Sequence, residues 1–98
     1  MLSVVRKSQF KQDFKKLRSS NRDIAVLKTT ILKLAEGEEL AESFRDHALT
    51  GNYRDCRECR ECRECRECHL AGDWLLIYQR DTENLVLIRT GSHSELFG

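Results

Sequence analysis

Proline is absent from this chain, so no Pro-rich linker or polyproline segment divides it. No stretch approaches the roughly 20 consecutive apolar residues of a membrane span, and the N-terminus lacks the apolar core of a signal peptide. Net charge is missing as well. Seventeen Lys+Arg against 16 Asp+Glu leave +1, which by itself selects no polyanionic partner. The expectation is one soluble, cytoplasmic domain over residues 1–98, large enough for a single modest core. In that compartment its five cysteines stay reduced.

What charge there is lies unevenly. Residues 1–34 hold nine cations (Arg6, Lys7, Lys11, Lys15, Lys16, Arg18, Arg22, Lys28, Lys33) against Asp13 and Asp23. Glu36 to Asp46 reverses the sign, with Arg45 its one cation. A basic helical half suits a phosphate backbone or an acidic protein, and equally a solvated helix face. Lys11 and Lys15 are its candidate substrate contacts.

Two short apolar runs, Trp74 to Tyr78 and Leu85 to Ile88, flank the polar link Gln79 to Asn84. Their length and β-branched or aromatic content predict an antiparallel hairpin in mid-sheet. Leu2, Val4 and Val5 make a short first strand. Ser8 is placed as the cap of a helix over Gln9 to Ser19, with Phe10, Phe14 and Leu17 forming one apolar stripe. Ser20 or Asn21 caps a second helix, with Asp23 in its first turn, Ile24, Leu27, Ile31 and Leu34 on its inner face, and Gly37 as its stop. Glu38 to Asn52 reads as irregular, with one helical turn anchored by Leu40 and Phe44, and a strand begins near Asn52 or Tyr53. The expected fold is α+β: one strand, a helical hairpin, then further strands, all in a single twisted antiparallel sheet.

Arg54 to Cys68 is one Arg-Asp-Cys followed by four Arg-Glu-Cys triplets, with cysteines at 56, 59, 62, 65 and 68. A period of three fits neither strand nor helix; in a strand, successive cysteines alternate faces. The run resembles the opening of an iron–sulfur motif, but its fourth cysteine comes one residue early and no proline follows. Zinc held by Cys56, Cys59, Cys65 and Cys68 would need a longer spacer between the two knuckles. The tract reads as an exposed low-complexity insertion, without disulfides or metal in a reducing buffer.

Antiparallel pairing sets the start of one strand beside the end of the next. Asp73 and Arg89 are therefore expected at one sheet edge, with His69 and His93 close by. With His47 these residues suit metal-independent RNA cleavage. Imidazoles serve as general base and acid, a carboxylate orients one of them, and a guanidinium fork binds the phosphoryl group. Asp73 is the set's one carboxylate, too few for a two-metal site, so neither metal nor cofactor is assigned. Each residue alone has a structural reading: Asp73 in a turn, Arg89 in a salt bridge, each histidine on the surface.

Three motifs carry a resemblance. Asp46-His47-Ala48-Leu49-x-Gly51, His69-x-x-x-Asp73-Trp74-Leu75-Leu76-Ile77-Tyr78 and Arg89-Thr90-Gly91-Ser92-His93-Ser94-Glu95-Leu96-Phe97 together resemble the YafQ branch of the RelE family of bacterial toxins. The resemblance implies a small mRNA-cleaving endonuclease of a type II toxin–antitoxin module. It would act on the ribosome and be neutralised by a cognate antitoxin in a toxin–antitoxin hetero-oligomer. It also implies catalytic roles for His47, His69, Asp73, Arg89 and His93, and substrate contacts from Trp74 and Phe97. The chain departs from the family by extra Arg-Glu-Cys copies just before His69, where a one-residue shift in register would turn every side chain of that strand to the other face. Two other readings remain open: a metal- or redox-responsive module built on the cysteines, and a weakened toxin fold that still binds an antitoxin.

Overall fold

A computed structural model describes residues 1–48 and 65–97, apart from the side chains of residues 47 and 48. The element order is β1 (Ser3–Arg6), α1 (Ser8–Leu17), α2 (Ile24–Ala35), a 3-10 turn (Glu42–Phe44), β2 (His47–Ala48), β3 (Arg66–Ala71), β4 (Trp74–Arg80), β5 (Asn84–Ser92) and α3 (His93–Phe97). The five strands form one sheet in the order β1-β5-β4-β3-β2. The strand expected near Asn52, and the cysteines at 56, 59 and 62, lie outside the described residues. No described helix is long and apolar enough to cross a membrane.

The α+β layout is as read from the sequence, with one correction. The sheet is mixed, because β1 pairs with β5 in parallel, Ser3 to Arg6 beside Asn84 to Leu87, while the other pairings are antiparallel. All four residues of β1 are exposed. Nothing in so short an edge strand encodes direction, which the chain path through two helices decides.

Helix ends also differ from expectation. Ser8 is the first residue of α1, and Lys7 occupies the cap without a side-chain hydrogen bond. Asp23 is itself the cap of α2, its carboxylate accepting from the Ala25 amide at 3.0 Å. Ser20 instead donates its hydroxyl to the Leu17 carbonyl at 2.8 Å, closing the end of α1. A carboxylate at the cap satisfies a helix amide and suits the positive end of the dipole. Gly37, at φ +82°, supplies the left-handed residue after α2. Arg80 donates to the Leu34 and Glu38 carbonyls (3.1 and 2.9 Å), which ties the end of α2 to β4.

The helices cover one face of the sheet. Phe10, Leu17, Leu27 and Leu34 join Cys68, Leu70, Trp74, Leu76, Tyr78, Leu85 and Leu87 in the main core, with Leu40 and Phe44 packed at its margin. On the other face Cys65, Leu75, Ile77 and Ile88 form a smaller cluster closed by Leu96 of α3. The β4–β5 hairpin turns on Asp81, whose carboxylate accepts from the Glu83 and Asn84 amides (2.7 and 2.6 Å). Gly72, at φ +54°, serves the tighter β3–β4 turn.

The end of the cysteine tract is not an exposed excursion. Arg66 to Cys68 belong to β3, and Cys65 and Cys68 are buried at 6% and 0% exposure. Their side chains enter opposite clusters, as strand alternation requires, so these two cannot serve as one metal knuckle. Cys65 is disulfide-bonded, where free thiols were expected. Cys68 is a free thiol, pushed from about 9.0 up to about 12 by burial and, after that, by the charges of Asp46 and Glu67.

Iodoacetamide at pH 8 should therefore leave Cys68 unlabelled in the folded protein and label it in denaturant, as read by mass spectrometry. The unfolded thiol ionises before the folded one. Cys68 should therefore lower stability as pH rises above about 9, by at most about 1.4 kcal/mol per pH unit. Rapid labelling of the folded protein would contradict this placement of β3.

Candidate active site

Register across the three long strands lays out two rows. His47, Glu67, Ile77 and Arg89 are successive partners across β2, β3, β4 and β5, and His69, Leu75 and Gly91 form the next row. Leu75 and Ile77 belong to the smaller cluster, so His69 and Glu67 share the sheet face away from α1 and α2. His69 keeps its place despite the repeat, because β3 pairs regularly with β4 from Arg66 to His69.

Beyond the rows, the β3–β4 turn meets the start of α3. His93 Nδ1 lies 2.6 Å from an Asp73 carboxylate oxygen, and the His93 amide donates to the same oxygen at 3.4 Å. The His93 hydrogen bond is the main cause holding Asp73 below the usual carboxylate range, with Arg22 adding a smaller push. An ionised Asp73 only accepts, so Nδ1 carries the hydrogen and Nε2 is the ring nitrogen turned to chemistry. That Nε2 is 3.8 Å from Glu67 Oε1, and His69 Nε2 is 3.6 Å from the same oxygen. The two imidazoles are 6.0 Å apart between centroids. Phe97 lies 5.9 Å beyond His93 and is 45% exposed, an open aromatic face suited to stacking a base.

Not every predicted residue joins this group. Arg89 stands opposite Ile77 and not beside Asp73. It donates from Nε and Nη2 to both oxygens of Asp13 on α1, at 3.0 and 2.9 Å, and the pair is largely buried. Two features displaced it. β5 runs on to Ser92, so its end meets Asp73 through His93, and Ile88 is an extra residue where Tyr78 pairs with Leu87 and Ile77 with Arg89. Trp74 is 3% exposed in the main core and donates from its indole to Thr90 Oγ1 at 2.9 Å. It is not an open stacking surface. Lys11 and Lys15 are exposed on α1, and no described hydrogen bond or ion pair links them to the histidines. His47 is placed here by backbone pairing with Glu67 alone.

Three participants escaped the sequence reading. Glu67 is 6% exposed within reach of both imidazoles, so the site holds two carboxylates and not one. Its membership of a repeat masked it; the alternation Glu67, His69 before the Asp73 turn was the available signal. Asp13, the one acid in a basic helix, takes over the β5 edge where β1 ends, accepting the Thr90 amide at 3.2 Å. Glu95 accepts from the Ser92 amide at 2.8 Å and from Arg22 Nη2 at 3.1 Å, and the backbone bond chiefly holds its carboxyl below the ordinary range.

Family comparison decides the identity. The model for YafQ, bacterial toxin of type II toxin–antitoxin systems, matches residues 2–61 and 60–98. The chain belongs to the YafQ family. The mRNA interferase toxin YafQ of Escherichia coli K12 is 30% identical over 91 residues, 92% of this chain and 89% of that protein. A copper-bound mutant toxin from Helicobacter pylori is 40% identical with a TM-score of 0.83, covering 99% of this chain and all of the other. YafQ in the E. coli DinJ–YafQ complex is 27% identical, with a TM-score of 0.83 and full coverage of both chains. The family match in two segments meets at residues 60–61, inside the triplet repeat of this YafQ-family chain.

Asp13→Ala removes the carboxylate partner of a guanidinium whose side chain is 17% exposed. Breaking a buried pair in this way costs about 3–5 kcal/mol. The value expected here is the lower end, read from the shift in urea midpoint; a loss below about 1 kcal/mol would mean that the pair is solvated and does not hold the β5 edge.

Proposed function

We propose that this YafQ-family chain cleaves mRNA through the His69–Glu67 pair and the Asp73-bound His93, by attack of the RNA 2′-hydroxyl on the adjacent phosphorus. The observation that carries the reading is the pair of imidazoles 6.0 Å apart, with one ring fixed by Asp73 and a buried carboxylate facing both. Such a gap suits a phosphoryl group with a nitrogen in hydrogen-bond reach on either side. His69 takes the 2′-hydroxyl proton, and Glu67 offsets the charge that the ring gains. The 2′-oxygen–phosphorus bond forms as the phosphorus–5′-oxygen bond breaks. His93, with Nδ1–H held by Asp73, gives its Nε2 proton to the departing 5′-oxygen. The products are a 2′,3′-cyclic phosphate and a 5′-hydroxyl.

His47, in the row of Glu67, is assigned to the substrate side of the same site, and Phe97 to stacking of a base. Arg89 is assigned to the phosphoryl group, its guanidinium oriented by Asp13. No group of three or more His, Cys, Asp or Glu side chains among the described residues is arranged to hold a metal ion, and the proton transfers are assigned to side chains. The mRNA is taken on the ribosome, and an antitoxin partner is inferred from the DinJ complex of E. coli YafQ. We infer further that the extra triplets are an insertion in one domain. The two-segment family match supports this, as does an intact β3.

His93→Ala should lower cleavage by about 10²–10⁴. A substrate with sulfur in place of the bridging 5′-oxygen should restore it, since a thiolate leaves without a proton; His69→Ala should gain nothing from that substrate. A 2′-deoxy nucleotide 5′ of the scissile phosphate should block the cut, and EDTA should not. Cleavage of the deoxy substrate, or unchanged cleavage by the His93→Ala protein, would overturn the mechanism. Deleting Arg60 to Cys68 restores the family's shorter connection and still leaves an Arg-Glu-Cys triplet before His69. Growth arrest on induction should survive that deletion, and its loss would show the added copies to be required.

A further inference from the structure

The candidate site has a surplus of negative charge for a polyanionic substrate. Glu67 and Asp73 face His93 and Glu95 follows it on α3, while Arg89 is engaged by the buried Asp13. A second guanidinium stands beside Glu95 and the Trp74 ring. Arg22, in the link between α1 and α2, places Nη2 3.1 Å from Glu95 Oε1 and its guanidinium carbon 6.0 Å from the Trp74 ring centroid. Its charge also contributes to the lowered Asp73. The Arg22 side chain is 30% exposed and its partner Glu95 46%, so the pair is a rim contact of low worth. Glu95 would not be stranded by losing it, because the Ser92 amide donates to the same oxygen at 2.8 Å.

We propose that Arg22 is a further substrate-binding residue, exchanging Glu95 for an oxygen of the RNA phosphate next to the scissile one. This rests on the assignment of His69 and His93 to the reacting phosphate. Two imidazoles occupy that phosphate, and Arg22 lies beyond Asp73 at the foot of α3, where the adjoining backbone passes. A guanidinium meets phosphate through paired, charge-assisted hydrogen bonds stronger than those of an exposed carboxylate pair. The exchange converts part of the basic N-terminal half into substrate affinity and leaves the proton transfers untouched.

The test is steady-state cleavage of a short unstructured RNA over a salt series, by the full chain, Arg22→Ala, Arg22→Lys and Glu95→Gln, with His93→Ala as the reference for chemistry. Arg22→Ala should raise KM about tenfold with kcat within about twofold, and make the slope of log(kcat/KM) against log salt shallower by about 1. Arg22→Lys should recover part of the loss. Glu95→Gln keeps an acceptor for the Ser92 amide and releases Arg22, so KM should stay level or fall. If Arg22 only braced α3, Arg22→Ala and Glu95→Gln would both lower kcat and leave KM and the salt slope unmoved; that result, or an unchanged KM in Arg22→Ala, overturns the proposal. Full cleavage by His93→Ala would instead remove the catalytic reading beneath it, a failure visible whatever Arg22 does.

Discussion

Alternation along β3 places two kinds of residue on one four-residue path. Cys68 and Leu70 enter the helix-covered core, and Glu67 and His69 face away from it. Because the period is two, the burial of Cys68 at 0% exposure and the position of the His69 imidazole are the same fact seen from two sides. Moving the strand by one residue would expose a thiol that burial keeps protonated, and would drive Glu67 into an apolar cluster without a partner. The core thereby fixes the geometry of the site, although no site residue contributes much apolar area to it.

The helices connect to that site through polar contacts at the sheet edge. β1 covers β5 only as far as Leu87, and unpaired strand edge beyond that point would be open to association. Asp13 closes it, accepting from the Thr90 amide and from the Arg89 guanidinium. Farther along, Arg22 and Glu95 join the helix–helix link to α3. Both acids lie close to the candidate chemistry without facing the histidines, so the position of His93 depends on the helical half as well as on its own short helix.

The triplet repeat has a consequence that its composition conceals. Its Arg-Glu-Cys copies are identical, so whichever of them are extra, the triplet next to His69 supplies Arg66, Glu67 and Cys68 in the order that β3 needs. Arg66 then donates to Asp46 at 2.8 Å, and Tyr78 donates to the same carboxylate, which anchors the β2 approach to β3. Extra length in such a tract alters the connection and leaves the register that positions His69.

Local pattern was enough for the helices, the central hairpin and the approach of His93 to Asp73, because each is written in short-range periodicity or in the ends of neighbouring strands. The family motif pointed to His69, Asp73, His93 and Phe97 as a group, and the fold gathers them. Tertiary structure alone decided the rest. The direction of β1 depends on the chain path, the depth of Trp74 on which face the helices cover, and the partner of Arg89 on a bulge that adds Ile88 to β5. Glu67 was hidden for a different reason: in a repeat every glutamate looks alike, and only pairing with β4 selects the one that faces two imidazoles. Sequence spacing conveys which side chains share a face, whereas contacts between residues 76 positions apart, as in Asp13 and Arg89, arise only when separate elements pack at one edge.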